Sequence, residues 1–284
     1  MPKFRLLLNS FVLSALVAIG GCAGVKTTPD LVDFERFGSG PEKVIVLHDW
    51  LGDRRNFDPI RPYLDGEQFT YAFLDLRGYG GSKTKAGKFS AAEAANDAIA
   101  VADSLGWKRF HIVGHSMSGM IVQRVGANAP ERIKSMVATT PVSAAGMHVD
   151  DKTYGFFKAV VTDPKAATAA IGLLTGKRLS KQWAAFKVND AMTRSTPEAR
   201  LAYLDMFDKT DFSADVAGLK FPVLVLLGKN DLPAFQPASI KSTFGAWYPN
   251  LSIVVTPNAG HYPMQETPVF YATSIEAHMS KHKG

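Results

Sequence analysis

The segment Gly114, His115, Ser116, Met117, Ser118, Gly119 sets a serine between a short apolar run at residues 110–113 and a stretch of helical character from about residue 118 to 128. Strand, tight turn and helix in that order make a nucleophile-elbow pattern, in which the serine is held in a strained backbone conformation with its hydroxyl raised above the sheet. The flanking positions must be small, because strand and helix approach closely there. Gly114 meets that need, and Ser118 is small where glycine is usual. A serine hydroxyl is a poor nucleophile at neutral pH. It becomes a good one when a histidine within hydrogen-bond reach takes its proton and a carboxylate holds that imidazole in the right tautomer. His115 adjoins the serine in sequence and so points elsewhere; it reads as structural. His111 reads as a core or sheet-face residue, and His148, His278 and His282 as solvated.

The elements that must position these groups alternate along the chain. Apolar, β-branched runs at residues 44–47, 69–76, 110–113, 133–139, 222–227 and 251–255 read as strands. Between them, Ser90 to Glu93 has capping-box spacing ahead of a helix that ends before Gly106, and further helices are expected at about 118–128, 237–246 and from 269. The pattern predicts an α/β fold, a mostly parallel central sheet covered by helices on both faces. Strand signals vanish in the alanine-rich stretch 141–220, which reads as a helical lid inserted between two parts of the core, residues 31–140 and 221–284.

On these motifs the chain resembles the α/β-hydrolase family over about residues 41–280. His48, Asp49 and Trp50 after the first strong strand look like the family's oxyanion loop; Asp75, Arg77, Gly78, Gly80 and Ser82 match its Asp-x-Arg-Gly-x-Gly-x-Ser turn. Gly228, Asn230 and Asp231 fall where the family carries its acid, and Ala259, Gly260, His261 and Tyr262 where it carries its histidine. The order Ser, Asp, His is also the family's. The resemblance implies a triad of Ser116, Asp231 and His261, with an oxyanion held by the backbone N–H groups of Met117 and Trp50. Asp150 and Asp151 compete for the acid's role, because some family members carry it before the lid. Asp75 and Arg77 are expected to form a structural turn and ion pair. One departure stands out: Asp49 occupies a position where the family usually has glycine.

The lid aromatics Tyr154, Phe157, Trp183 and Phe186, with Phe156, Tyr203 and Phe207, are candidates to line an apolar substrate pocket. The reaction implied is hydrolysis of a carboxylic ester or lactone through an acyl-enzyme on Ser116. Carbon–carbon hydrolysis and perhydrolysis use the same triad, and a non-catalytic ligand-binding member is a further alternative. No cofactor is expected and no metal motif is present: there is no His-Glu-x-x-His, no paired cysteines and no phosphate-binding Gly-x-x-x-x-Gly-Lys loop.

Lys3 and Arg5, the apolar stretch 6–19, and then Gly20, Gly21 and Cys22 read as an export signal, residues 1–21, followed by a tether at 22–30. The apolar stretch is too short to span a bilayer comfortably. Small residues ahead of the single cysteine resemble the lipobox of bacterial lipoproteins. That resemblance implies cleavage before Cys22, a lipid anchor on it, and a cell-envelope protein at the periplasmic face of the outer membrane, since Ala23 rather than aspartate follows. One cysteine permits no intramolecular disulfide. With 46% hydrophobic and 20% charged residues the chain can bury a core. Its net charge of +6 includes no run of five or six basic residues, which sets nucleic acid aside as a partner.

Overall fold

Seven short runs rich in Val, Ile, Leu and aromatic residues pair into one sheet: β1 Phe34–Phe37, β2 Glu42–Leu47, β3 Phe69–Leu74, β4 Phe110–His115, β5 Ile133–Thr139, β6 Val223–Gly228 and β7 Leu251–Thr256. Their order across the sheet is β1-β3-β2-β4-β5-β6-β7. Every pairing is parallel except that of β1 with β3, where Phe34 faces Leu74 and Phe37 faces Tyr71. The computed structural model describes Pro2 and residues 30–283, and Leu31–Gly284 form one compact unit. Cys22, the expected signal segment apart from Pro2, and the tether apart from Asp30 lie outside the described residues. Among the described residues no helix is long and apolar enough to cross a membrane.

Side chains alternate across a strand, and here both alternating sets are buried. Ile45 and Leu47 of β2 join a core with Ala94, Ala98, Met120 and Val122 from α1 (Ala91–Ser104) and α2 (Met117–Asn128). Val44 and Val46 join a second core on the other face with Phe57, Tyr271 and Ile275. That face is covered by α11 (Pro268–Ser280) and a 3-10 stretch, Arg54–Tyr63, whose Pro59 and Pro62 remove the N–H groups an α-helix would need. At the start of α1, Ser90 accepts from the N–H of Glu93 at 3.2 Å, while the Glu93 carboxylate reaches the N–H groups of Lys88 and Phe89 rather than that of Ser90.

The stretch between β5 and β6 carries five helices: α3 Asp151–Val160, α4 Pro164–Leu174, α5 Lys181–Arg194, α6 Pro197–Lys209 and α7 Ser213–Val216. Asp150, Asp163, Ser180 and Thr196 cap the first four with side-chain oxygens on first-turn N–H groups. After β6 come α8 Pro237–Ser242 and α9 Phe244–Trp247, two short helices where the sequence suggests one. The break falls at Thr243, whose hydroxyl bonds back to the Ser239 carbonyl at 2.9 Å. The short helix α10, Pro263–Glu266, precedes α11.

Candidate active site

All parallel strands end on the same side of the sheet, and the loops there carry the polar groups that converge. Ser116 sits between β4 and α2 at φ 55°, ψ −114°, a conformation unfavourable for a residue with a Cβ. Its surroundings hold it in place: its N–H donates to Thr139 O at 2.9 Å, and its carbonyl accepts from Gly119 at 2.8 Å and Val142 at 3.0 Å. A Cβ on Gly114 would meet the carbonyl of Ser118 and lie 2.6 Å from Val122, which is why strand and helix can close on the serine only with glycine there.

His261, in the loop between β7 and α10, reaches Ser116 Oγ through Nε2 at 2.8 Å. Its Nδ1 faces Asp231 Oδ2 at 2.6 Å. A ring nitrogen facing a carboxylate carries the proton, which leaves the Nε2 lone pair for the serine hydroxyl. Asp231 follows β6, has a fully buried side chain, and accepts a further bond from the N–H of Leu232 at 2.7 Å. The histidine loop is held by its own backbone: His261 N–H donates to Leu174 O at 2.9 Å, and its carbonyl accepts from His115 Nε2 at 2.7 Å and the Thr140 hydroxyl at 3.1 Å. The chemistry this permits is removal of the Ser116 proton by His261, with Asp231 stabilising the imidazolium.

Asp150 and Asp151 fill no such role. Asp150 is the cap of α3, accepting from Thr153 N–H at 2.7 Å, and Asp151 lies exposed in the first turn of the same helix. Asp75 and Arg77 each form an ion pair, with different partners: Asp75 accepts from the backbone N–H groups of Arg54 and Gly81 and lies 3.2 Å from the Arg54 guanidinium, while Arg77 pairs with Asp97 at 2.8 Å. Burial pushes the His115 imidazole down to about 3 and that of His111, between Ser135 and Glu42, to about 4. His278, read from sequence as solvated, is buried, and burial followed by the neighbouring His282 lowers it to about 4.

Met117 is the first residue of α2, so its N–H has no acceptor within the helix. Trp50 lies across the cavity in a loop pinned at both flanks. His48 accepts from Leu76 N–H at 3.1 Å through Nε2, which leaves Nδ1 to donate to the Asp49 carbonyl at 2.7 Å, and Ser118 donates to the His48 carbonyl. The Trp50 indole donates to Arg200 O at 2.7 Å and its carbonyl accepts from Tyr79. The Asp49 side chain turns into the protein, where Asn56 donates to it.

A cavity of about 550 Å³ opens over Ser116 and His261. Its walls are apolar, from Met147, Phe156, Phe157, Leu173, Phe207 and Phe235 among others, with Asp150, Lys152 and Thr153 also lining it. Of the four aromatics proposed from sequence to bind substrate, Phe157 lines the cavity. The other three do not: the Tyr154 hydroxyl donates to Asp205 at 2.7 Å, Trp183 packs edge-on against Tyr262 with ring centroids 5.5 Å apart, and Phe186 is 60% exposed. Helix α3 presents Phe156 and Phe157 inward and leaves Tyr154 on its flank, a choice that composition does not reveal. Phe235, whose ring lies 4.6 Å from that of His261, was missed because it sits in a 3-10 turn outside the expected lid. Among the described residues no group of three or more His, Cys, Asp or Glu side chains could hold a metal ion.

A family model described as the alpha/beta hydrolase fold matches residues 43–268. The dihydrolipoyllysine-residue acetyltransferase component of the acetoin cleaving system from Cupriavidus necator is 30% identical over 132 residues, 45% of this chain. The chain spans only about a third of that protein, 34% of its length. A pimeloyl-[acyl-carrier protein] methyl ester esterase from Nitrosomonas europaea is 24% identical over 264 residues, covering 87% of this chain and 98% of the relative. Among solved structures, an esterase from Exiguobacterium antarcticum superposes with a TM-score of 0.78 at 17% identity, covering 88% of this chain and 95% of the other.

Proposed function

Because the chain belongs to the α/β-hydrolase family, we propose that it is a serine hydrolase that cleaves a carboxylic ester or lactone through an acyl-enzyme on Ser116. The observation that carries this reading is the unbroken series of hydrogen bonds from Asp231 through His261 to Ser116, ending on a serine that faces an apolar cavity. In the first half-reaction His261 takes the Ser116 proton as Oγ attacks the acyl carbon. The developing oxyanion is met by the N–H groups of Met117 and Trp50, each contributing about 3 kcal/mol. The imidazolium then protonates the leaving alcohol, and in the second half-reaction the same base activates water to release the acid.

The cavity's size falls within the range of small-molecule sites, and its walls of Phe, Leu and Met favour an uncharged, apolar acyl or alcohol group. The test is hydrolysis of p-nitrophenyl esters from acetate to palmitate by the wild type and by Ser116→Ala. Turnover by the wild type alone, with an optimum at a medium chain length, is expected; equal rates from both proteins would remove Ser116 from the mechanism. We further propose export and lipid attachment at Cys22, supported by the lipobox-like residues 19–22. Mass spectrometry of envelope-derived protein is expected to find lipid on Cys22; an intact N-terminus would overturn it.

A further inference from the structure

An aspartate beside a site that must accept negative charge needs compensation. Asp49, 2% exposed, stands between His48 and Trp50 in the loop assigned to the oxyanion. Burial opposes its charge, yet the surrounding cations and histidines hold its carboxyl below the ordinary carboxylate value. Of these groups His115 is neutral at physiological pH, His48 has one nitrogen accepting from Leu76 and the other donating to the Asp49 carbonyl, and His261 turns Nδ1 to Asp231 and an accepting Nε2 to Ser116. The remaining cation is Lys187, whose ammonium is pulled below its ordinary value by burial and pushed back up by the charges of Asp49, Asp190 and Asp53.

Lys187 is only 1% exposed and comes from α5, in the helical insertion. Its Nζ donates to Asn56 Oδ1 at 2.5 Å, Asn56 Nδ2 donates to Asp49 Oδ1, and Gln265 Nε2 adds a second bond to Asn56 Oδ1 at 3.2 Å. The ammonium also lies 4.8 Å from the centroid of the Tyr262 ring, next to His261. Among the described residues Lys187 makes no direct ion pair. A lysine buried this way is costly unless its charge is answered, and the answering carboxylate lies one amide away. The same helix face continues the attachment at helical spacing: Asp190 pairs with Arg55, and Arg194 with Asp53 at 2.5 Å.

We propose that Lys187 is a positioning residue that neutralises Asp49 through the Asn56 amide, so that the oxyanion loop carries an aspartate without opposing the charge that develops on the substrate. Catalysis is thereby tied to the seating of α5. The inference rests on the reading of Ser116 and residues 48–50 given under the proposed function.

The test uses the full chain and p-nitrophenyl butyrate with Lys187→Met, Asp49→Asn and the double variant. Lys187→Met is expected to lower kcat about 10- to 100-fold, as an unanswered charge at short range would, and to leave KM within about threefold. In the Asp49→Asn background the same lysine change is expected to alter kcat by less than about threefold, because no charge remains to neutralise. The second comparison stands by itself if Lys187→Met alone fails to fold. A tenfold or larger fall in kcat from Asp49→Asn to the double variant, or a loss confined to KM, would overturn the proposal. Wild-type turnover with an unchanged Lys187→Met enzyme would overturn it while leaving the serine-hydrolase reading intact; a wild type that hydrolyses no ester would overturn both.

Discussion

The aspartates that compete on sequence separate by their partners. Asp231 meets His261 Nδ1, whereas Asp150 spends its carboxylate on the first turn of α3. Asp231→Asn is expected to lower kcat by about 10⁴ with little change in folding, because the amide favours the wrong imidazole tautomer. Asp150→Asn is expected to stay within about threefold of wild type, since asparagine caps helices as well as aspartate does. Steady-state kinetics of the two variants check both, and the reverse ranking would place the acid before the insertion. The hydrogen-bonded meeting of Ser116, His261 and Asp231 was legible because each stands just after an apolar strand, among small or turn-forming residues. Lys187 and Asn56 were not, because their meeting joins positions 131 residues apart through tertiary packing alone.

At the scale of elements, the acid and histidine loops are held together by an absence of side chain. A Cβ on Gly228, at the end of β6, would collide with the carbonyl of Gly260. Gly228→Ala is expected to force the two loops apart, destabilising the protein by about 1–3 kcal/mol and lowering kcat well beyond what that loss of stability explains. Thermal unfolding and kinetics on the folded fraction measure the two effects separately; an unchanged kcat would contradict the account. In α3, Phe157→Ala is expected to enlarge the cavity and raise KM for medium-chain esters more than for acetate, read from a chain-length series. The parallel strands were legible as continuous apolar runs. The edge strand β1 was not: four residues, FERF, with their middle pair exposed, give too short and too polar a signal. The 3-10 stretch Arg54–Tyr63 was hidden in the same way, since its two prolines read as loop.

For the molecule as a whole, burial of His115 and His111 links stability to pH. Both imidazoles are held below their ordinary 6.5, at about 3 and about 4, so the unfolded chain binds protons that the folded one refuses. Their stabilising contribution is complete above about pH 6.5 and is lost as pH falls toward 4, at up to about 1.4 kcal/mol per pH unit for each. Urea unfolding at pH 7, 6, 5 and 4.5 is expected to show a steady fall in unfolding free energy, and a flat profile would contradict the assignment. The fold class was legible in the alternation of elements, since a sheet buried on both faces leaves few other arrangements for such strands. Which insertion helices face the cavity was decided by packing and could not be read from composition. The most direct test of the central claim is covalent labelling of the full chain with a fluorophosphonate, followed by peptide mass spectrometry. One adduct per chain, mapped to Ser116 and matched by loss of ester turnover, is expected; no adduct, or an adduct elsewhere with turnover preserved, would contradict the account.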